Sequence, residues 1–422
     1  MTQPTAEYHV PERGFTARFA GAVLAGSLAL TATACTTGTE NEAYTPHTLI
    51  DAPTVPVPKA DIQTPAAATC EVPSTASVTA VTKLFKGVEH ITFDGSKTED
   101  PVDELWRNRI IASKKNGLHI IDPRRFTAKF EADADARTEK YSVKDYLNLL
   151  DEFTAQYGIT VQSAQTHKEA HYGQLLRKIS YDTMPKDVQD NVKYNIISFI
   201  KNLAELPVEL VEQVRLKKVV LADIENPQIG GMADVIDGGL FYLDPLKPLE
   251  QQTFTHEFTH LWHGRHCSEP SAINEDTAYI ALNPGGRKIY VGDRYGNPKA
   301  WLKPYQSNEN LLNTKKYEDI VNELSLSEVL RDRIATADLK RLKSQYKAMK
   351  QTVVMKENYG FDNAGEDEAT MGEEIFSPYM YPTSILDKDT PILRKKALFL
   401  FARMYDDDPR IVRYFEEVGN KD

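Results

Sequence analysis

Two histidines four residues apart, with a glutamate after the first, form the densest chemistry in this chain: His256-Glu257-Phe258-Thr259-His260. On an α-helix that spacing stacks both rings one turn apart on one face. Both can then aim a nitrogen at a single Zn2+ at about 2.0–2.1 Å. Glu257 is placed to take a proton from a water that the ion activates. Apart from the motif, residues 253–262 carry no charge, which suits a helix running through the middle of a domain better than a polar helix with two incidental histidines.

Catalytic zinc sites use three protein ligands and keep a fourth position open. His263 lies seven residues after His256, about 10.5 Å along a helix. Three side chains so spread do not converge easily, so His263 reads as a neighbour of the site or as an exposed end-of-helix residue favoured by the helix dipole. His266 stands where metzincins carry their third histidine in H-E-x-x-H-x-x-G-x-x-H, although His263 occupies the glycine position and Gly264 comes one place late. The stretch SPYMYPTS around Met380 resembles the methionine turn of that clan. The competing arrangement, that of gluzincins, draws a glutamate from a later helix. Here Thr370 would cap a helix through MGEEIFSPYMY, with Glu373 or Glu374 facing the site.

The elements that must hold these residues are legible on both sides of the motif. Val188, Val192, Ile196, Phe199, Ile200 and Leu203 recur at helical spacing and predict an amphipathic helix ending before Pro207. KKVVLADI, 217–224, reads as a buried strand. IGGMADVIDGGLFYLDP, 229–245, reads as two short strands around Asp237-Gly238-Gly239. Residues 142–158 predict a helix with a Ser142 cap and a glycine stop, and VEHITFDG, 88–95, a strand. The order is that of an α+β protein.

With these elements in place, a resemblance becomes specific. IGGMADVIDGGLFYLDP followed by THEFTHLWH resembles the zinc-binding metallopeptidases related to the catalytic domain of anthrax toxin lethal factor, which are gluzincins. They carry a Gly-Gly-x-Ala-Asp edge strand, the metal helix, an E-x-F-A-E motif whose first glutamate is the third ligand, and a proline-led terminal helix. Glu374-Ile375-Phe376-Ser377 matches the first four positions of that motif, and TPILRKKALFLFARMY matches the terminal helix. LPVEL before the strand also fits. Pro378 replaces the second glutamate, and the family's tyrosine before the third ligand has no clear counterpart, with Tyr359, Tyr379 and Tyr381 as candidates.

The resemblance, over roughly 190–405, implies a zincin-like domain: a mixed sheet with an edge strand, the HExxH helix and a C-terminal helical subdomain. It implies Zn2+ on His256, His260 and Glu374, with Glu257 as general base. A peptide or protein substrate would pair its backbone with the edge strand at Gly231, Met232 and Ala233. Two rivals stay open: a metzincin using His266, and a non-catalytic zincin-fold lipoprotein that binds a cell-wall or protein partner.

The formal net charge of −11, with no offsetting run of Lys or Arg, argues against a nucleic-acid partner, which would favour a basic face. Arg13 and Arg18 precede an uncharged run over 19–34 and then Cys35, a pattern that suits a secretory signal and resembles a bacterial lipobox. The expected arrangement is a signal peptide over 1–34 and a lipid on Cys35 that anchors the protein to the membrane on its extracytoplasmic side. A disordered Thr-, Pro- and Ala-rich tether would follow over 35–72. An N-terminal α/β region over 73–185 and the zincin-like domain over 186–422 complete it, with a helical insertion at about 305–360. If Cys35 carries lipid, Cys70 and Cys267 are left to pair as a disulfide.

Overall fold

The computed structural model describes residues 69–86, 101–136, 139–165, 167–168, 175–226, 229–235, 239–286, 288–290, 316, 320, 336–349, 353–355, 360, 362–376, 386 and 390–419. The expected signal, Cys35, nearly all of the tether, the 88–95 strand, Asp237-Gly238, most of the insertion, and SPYMYPTS lie outside them. In chain order the elements are α1 (Thr75–Leu84), α2 (Pro101–Asn116), α3 (Arg124–Ala136), α4 (Val143–Ala155), β1 (Thr160–Ser163), β2 (His167–Lys168), β3 (Leu175–Arg177), α5 (Lys186–Ala204) and α6 (Val208–Val214). They continue with β4 (Lys218–Leu221), β5 (Asp223–Ile224), β6 (Gly231–Asp234), β7 (Leu240–Leu243), α7 (Gln251–Gly264), α8 (Thr277–Ile280), α9 (Thr336–Met349), α10 (Ala364–Phe376), α11 (Pro391–Asp407) and α12 (Pro409–Gly419).

This is a mixed α+β protein, mostly helical. A four-stranded sheet runs β1-β4-β7-β6, parallel at its first two pairings and antiparallel at the last, so β6 forms an edge. The single strand expected over 217–224 breaks after Leu221, and its tail, β5, joins a second small sheet with β3 and β2. Helix α4 begins as the sequence predicts: Ser142 and Asp145 form a reciprocal capping box that satisfies two otherwise unpaired amides.

The core is built between the sheet and the helices covering it. Val192, Ile196, Phe199, Ile200 and Leu203 of α5 are buried, and Phe199 meets Phe254 of α7 edge-on at 5.5 Å and Phe241 of β7 at 5.6 Å. Phe254, Phe258 and Trp262, four apart along α7, give that helix one aromatic face. Each such ring contributes roughly 1.5–3 kcal/mol by leaving water. Gly231 must lack a side chain, because a Cβ there would come within 2.9 Å of both Leu249 and Phe241.

All described residues belong to one unit, Ala67–Asp422. The boundary expected between 185 and 186 falls inside it, since β1 pairs with β4 and α4 packs on α5, so both expected domains share one core. Cys70 is disulfide-bonded to Cys267. Around the bond the strap at residues 69–71 runs antiparallel to the chain leaving α7, with Glu71 N donating to His266 O and Ser268 N to Thr69 O. Among the described residues, no helix is long and apolar enough to cross a membrane.

Candidate metal centre

Helix α7 carries His256 and His260 on the face turned away from its aromatic stripe, and α10 packs against that face. Helix α10 starts at Ala364 because the Asn363 side chain accepts from Glu366 N at 3.0 Å, in the manner of an N-cap. Glu366, in the first turn, then reaches both histidines. Its Oε2 lies 3.0 Å from His256 Nε2 and 3.3 Å from His260 Nε2, and the two ring nitrogens are 3.2 Å apart.

That triangle has the dimensions of a metal's ligand face. Ligands held tetrahedrally at 2.0–2.1 Å from a zinc ion stand about 3.3 Å from one another. Two imidazole nitrogens pointed at each other and at one carboxylate need a proton or a cation among them. The donor set, two nitrogens and one oxygen, suits zinc. Glu366 and His260 keep 16% and 13% of their side-chain surface exposed, so solvent reaches the group.

A second carboxylate organises the first histidine. Glu373 Oε1 lies 2.8 Å from His256 Nδ1, and its Oε2 accepts from Gln252 Nε2 at 2.7 Å. A proton on Nδ1 facing Glu373 leaves the Nε2 lone pair for the metal. Burial works to lower the His256 pKa, but the carboxylates of Glu366 and Glu373 outweigh it and hold it well above the usual imidazole value. Burial would raise Glu366, yet the charges and hydrogen bonds of the two histidines bring it below the usual carboxylate range.

Glu257 sits beside this group at the sheet edge, where its Oε2 accepts the Ala233 amide at 2.8 Å. Burial raises its pKa, against the opposing influence of His260, His256 and that amide. A carboxylate half-withdrawn from water and held by one backbone bond is a competent proton acceptor. Gly231, Met232 and Ala233 all lie on edge strand β6.

Three expectations are corrected here. Glu374 is buried on α10 but is not in the donor group with His256 and His260. Eight residues beyond Glu366, it is rotated by about 80° and displaced by about 12 Å. Thr370 is not a cap but an interior residue whose hydroxyl donates to Asp367 O, because the helix starts six residues earlier. His263 is not exposed: it is fully buried, with Nε2 3.3 Å from Asp276 and 3.2 Å from Glu368.

His266 is likewise buried and turned away from His256, to Glu71 and Asp407 at 3.2 and 3.1 Å. It is absent from the donor group, which leaves the metzincin arrangement without its third ligand. The sequence does carry a signal for Glu366: Asn363-x-x-Glu366 is a helix-start pattern, and the Glu and Ala of E-x-F-A-E recur at Glu366 and Ala369. Tyr359, Tyr379 and Tyr381 lie outside the described residues.

Two other clusters have metal-like composition. Cys70, His263 and Cys267 approach one another, but the sulfurs are bonded to each other. His263, Asp276 and Glu368 also converge, and there the Arg403 guanidinium already supplies the positive charge, 2.5 Å from Asp276 and 3.2 Å from Glu368. No protein-family model, curated protein or solved structure matches this chain.

Proposed function

We propose that this protein is a zinc-dependent peptidase of zincin-like fold, with His256, His260 and Glu366 as the metal ligands and Glu257 as the general base. The observation that carries the reading is the triangle of donor atoms at 3.0–3.3 Å with Glu257 beside it. A purely structural site has no use for a carboxylate held next to the ligands. Bound zinc supplies Lewis acidity, polarising a carbonyl and acidifying a water.

The chain's own groups do the rest. An extended peptide would pair its backbone along edge strand β6, whose four residues are buried in this structure, and this would set the scissile bond along the sheet edge. Glu257 would take the water's proton and return it to the leaving amine. Glu373 and Gln252 hold the His256 ring in one orientation throughout. We place the enzyme outside the cytoplasm, lipid-anchored at Cys35, on the signal-like sequence and the Cys70–Cys267 disulfide.

The test pairs metal analysis with cleavage of a broad peptide library. Wild-type protein should bind one zinc and cleave, and Glu257→Gln should bind zinc equally and lose cleavage. Zinc binding with no cleavage by the wild type would favour the non-catalytic lipoprotein. Failure to bind zinc would end the metal reading.

A further inference from the structure

Three consecutive acids open α10, and each points a different way. Successive helical residues are rotated by about 100°, so Glu366, Asp367 and Glu368 address three separate neighbours. Glu366 meets the histidines of α7. Asp367 Oδ2 receives Lys396 Nζ at 2.6 Å and the Tyr290 hydroxyl at 3.1 Å. Glu368 receives Arg403 NH1 at 3.2 Å and faces His263 Nε2 at 3.2 Å.

Lys396 and Arg403 stand seven residues apart on α11, two turns along one face. Both side chains are buried, with 0% and 1% exposure. Neither is spent on one partner: Lys396 also donates to Val354 O at 2.8 Å, and Arg403 to Asp276 and to Glu71 O at 2.9 Å. Buried ion pairs are poor sources of stability, because desolvation offsets most of their attraction. Their best-attested use is to specify register. Here the element so specified is the helix that bears a metal ligand.

We propose that Lys396 and Arg403 are positioning residues that, through Asp367 and Glu368, fix the rotation of α10 bringing Glu366 to His256 and His260. The inference rests on the metal reading above. It deepens that reading by assigning the geometry of the third ligand to α11 rather than to the ion.

The test uses Co2+ as a spectroscopic probe on the full-chain protein. Lys396→Met with Asp367→Leu removes one clamp without leaving a buried charge unpaired. Metal-free thermal unfolding should stay within a few degrees of wild type, while Co2+ affinity falls roughly ten- to a hundred-fold and its visible spectrum shifts. Phe153→Leu, a core change on α4 against Phe126 of α3, should lower the unfolding temperature and leave the spectrum alone. Arg403→Lys keeps the charge but loses the fork that spans Glu368 and Asp276. It carries the same two outcomes should the double variant not fold. Wild-type affinity and spectrum in the clamp variants would overturn the proposal. A wild type that takes up no Co2+ would instead overturn the metal reading beneath it.

Discussion

A single methyl group at Gly372 should open the metal centre. At Gly372, α10 passes close against Thr259 of α7. A Cβ built there would lie 2.0 Å from Thr259 Oγ1, 2.6 Å from its Cγ2 and 2.7 Å from its Cβ. Rotating Thr259 gives no relief, because its branches exchange places and its hydroxyl is already bonded to Thr255 O at 2.7 Å. Ordinary contact needs about 3.5–4.0 Å, so Gly372→Ala must push the helices apart by roughly 1.5–2 Å. His256 and Glu366 ride on opposite sides of that contact at 3.0 Å. Zinc–ligand distances tolerate about 0.2 Å, so a zinc ion held by the proposed ligands could not keep all three bonds. Overpacking should cost about 1–3 kcal/mol of stability, and zinc affinity should fall by at least the 10–100-fold typical of lost supporting contacts. Competition with a chromogenic chelator measures the affinity, and urea unfolding of metal-free protein the stability. Thr259→Gly in the same chain removes all three of the clashing atoms and should restore much of the affinity, at a cost of roughly 1 kcal/mol for a helical glycine. Wild-type affinity in Gly372→Ala alone would refute the reasoning.

Glu366→Ala should abolish tight zinc binding, whereas Glu374→Ala and His266→Ala should retain it; metal content after dialysis decides, and the reverse pattern would reinstate the expected ligand. Removing the Cys70–Cys267 bond by double serine substitution should cost up to about 5 kcal/mol by the chain-entropy relation, for a bond spanning 197 residues. Thiol titration of the unreduced wild type should find both sulfurs blocked. Burial pushes His263 down to about 4 from 6.5. Its folded value is the lower one, so the unfolded chain takes up the extra proton. The resulting stability is present above pH 6.5 and lost as pH falls towards 4. Metal-free unfolding at pH 7 and pH 5 should therefore differ less in His263→Gln than in wild type, and parallel curves would exclude the effect.

What the sequence revealed follows the range of the interactions concerned. The α7 histidines, the α5 stripe and the β6–β7 pair rest on local periodicity, and each stands where its spacing places it. Glu366 has no such local signature. Its helix holds five acids in thirteen residues, a composition that reads as a solvated face, yet four of the five are buried and Glu366 is half-buried. The compensating charges come from Lys396, Arg403 and His256, up to 110 positions away. Nothing in the local pattern announces them. A helix started at Thr370 rather than Asn363 faces the histidines with Glu374, whereas the observed start brings Glu366 to them.

The strap at residues 69–71 also decides how the molecule bears load. Tension arriving from the chain before Thr69 meets two backbone hydrogen bonds and a covalent bridge before it reaches α1. The bridge diverts that force at Cys267, directly beyond the end of α7, so it enters the protein through the helix carrying His256 and His260. Helix α1 is thereby spared from peeling away from α11, on which it packs. A pull on the N-terminal segment is therefore felt at the end of α7 before it reaches α1.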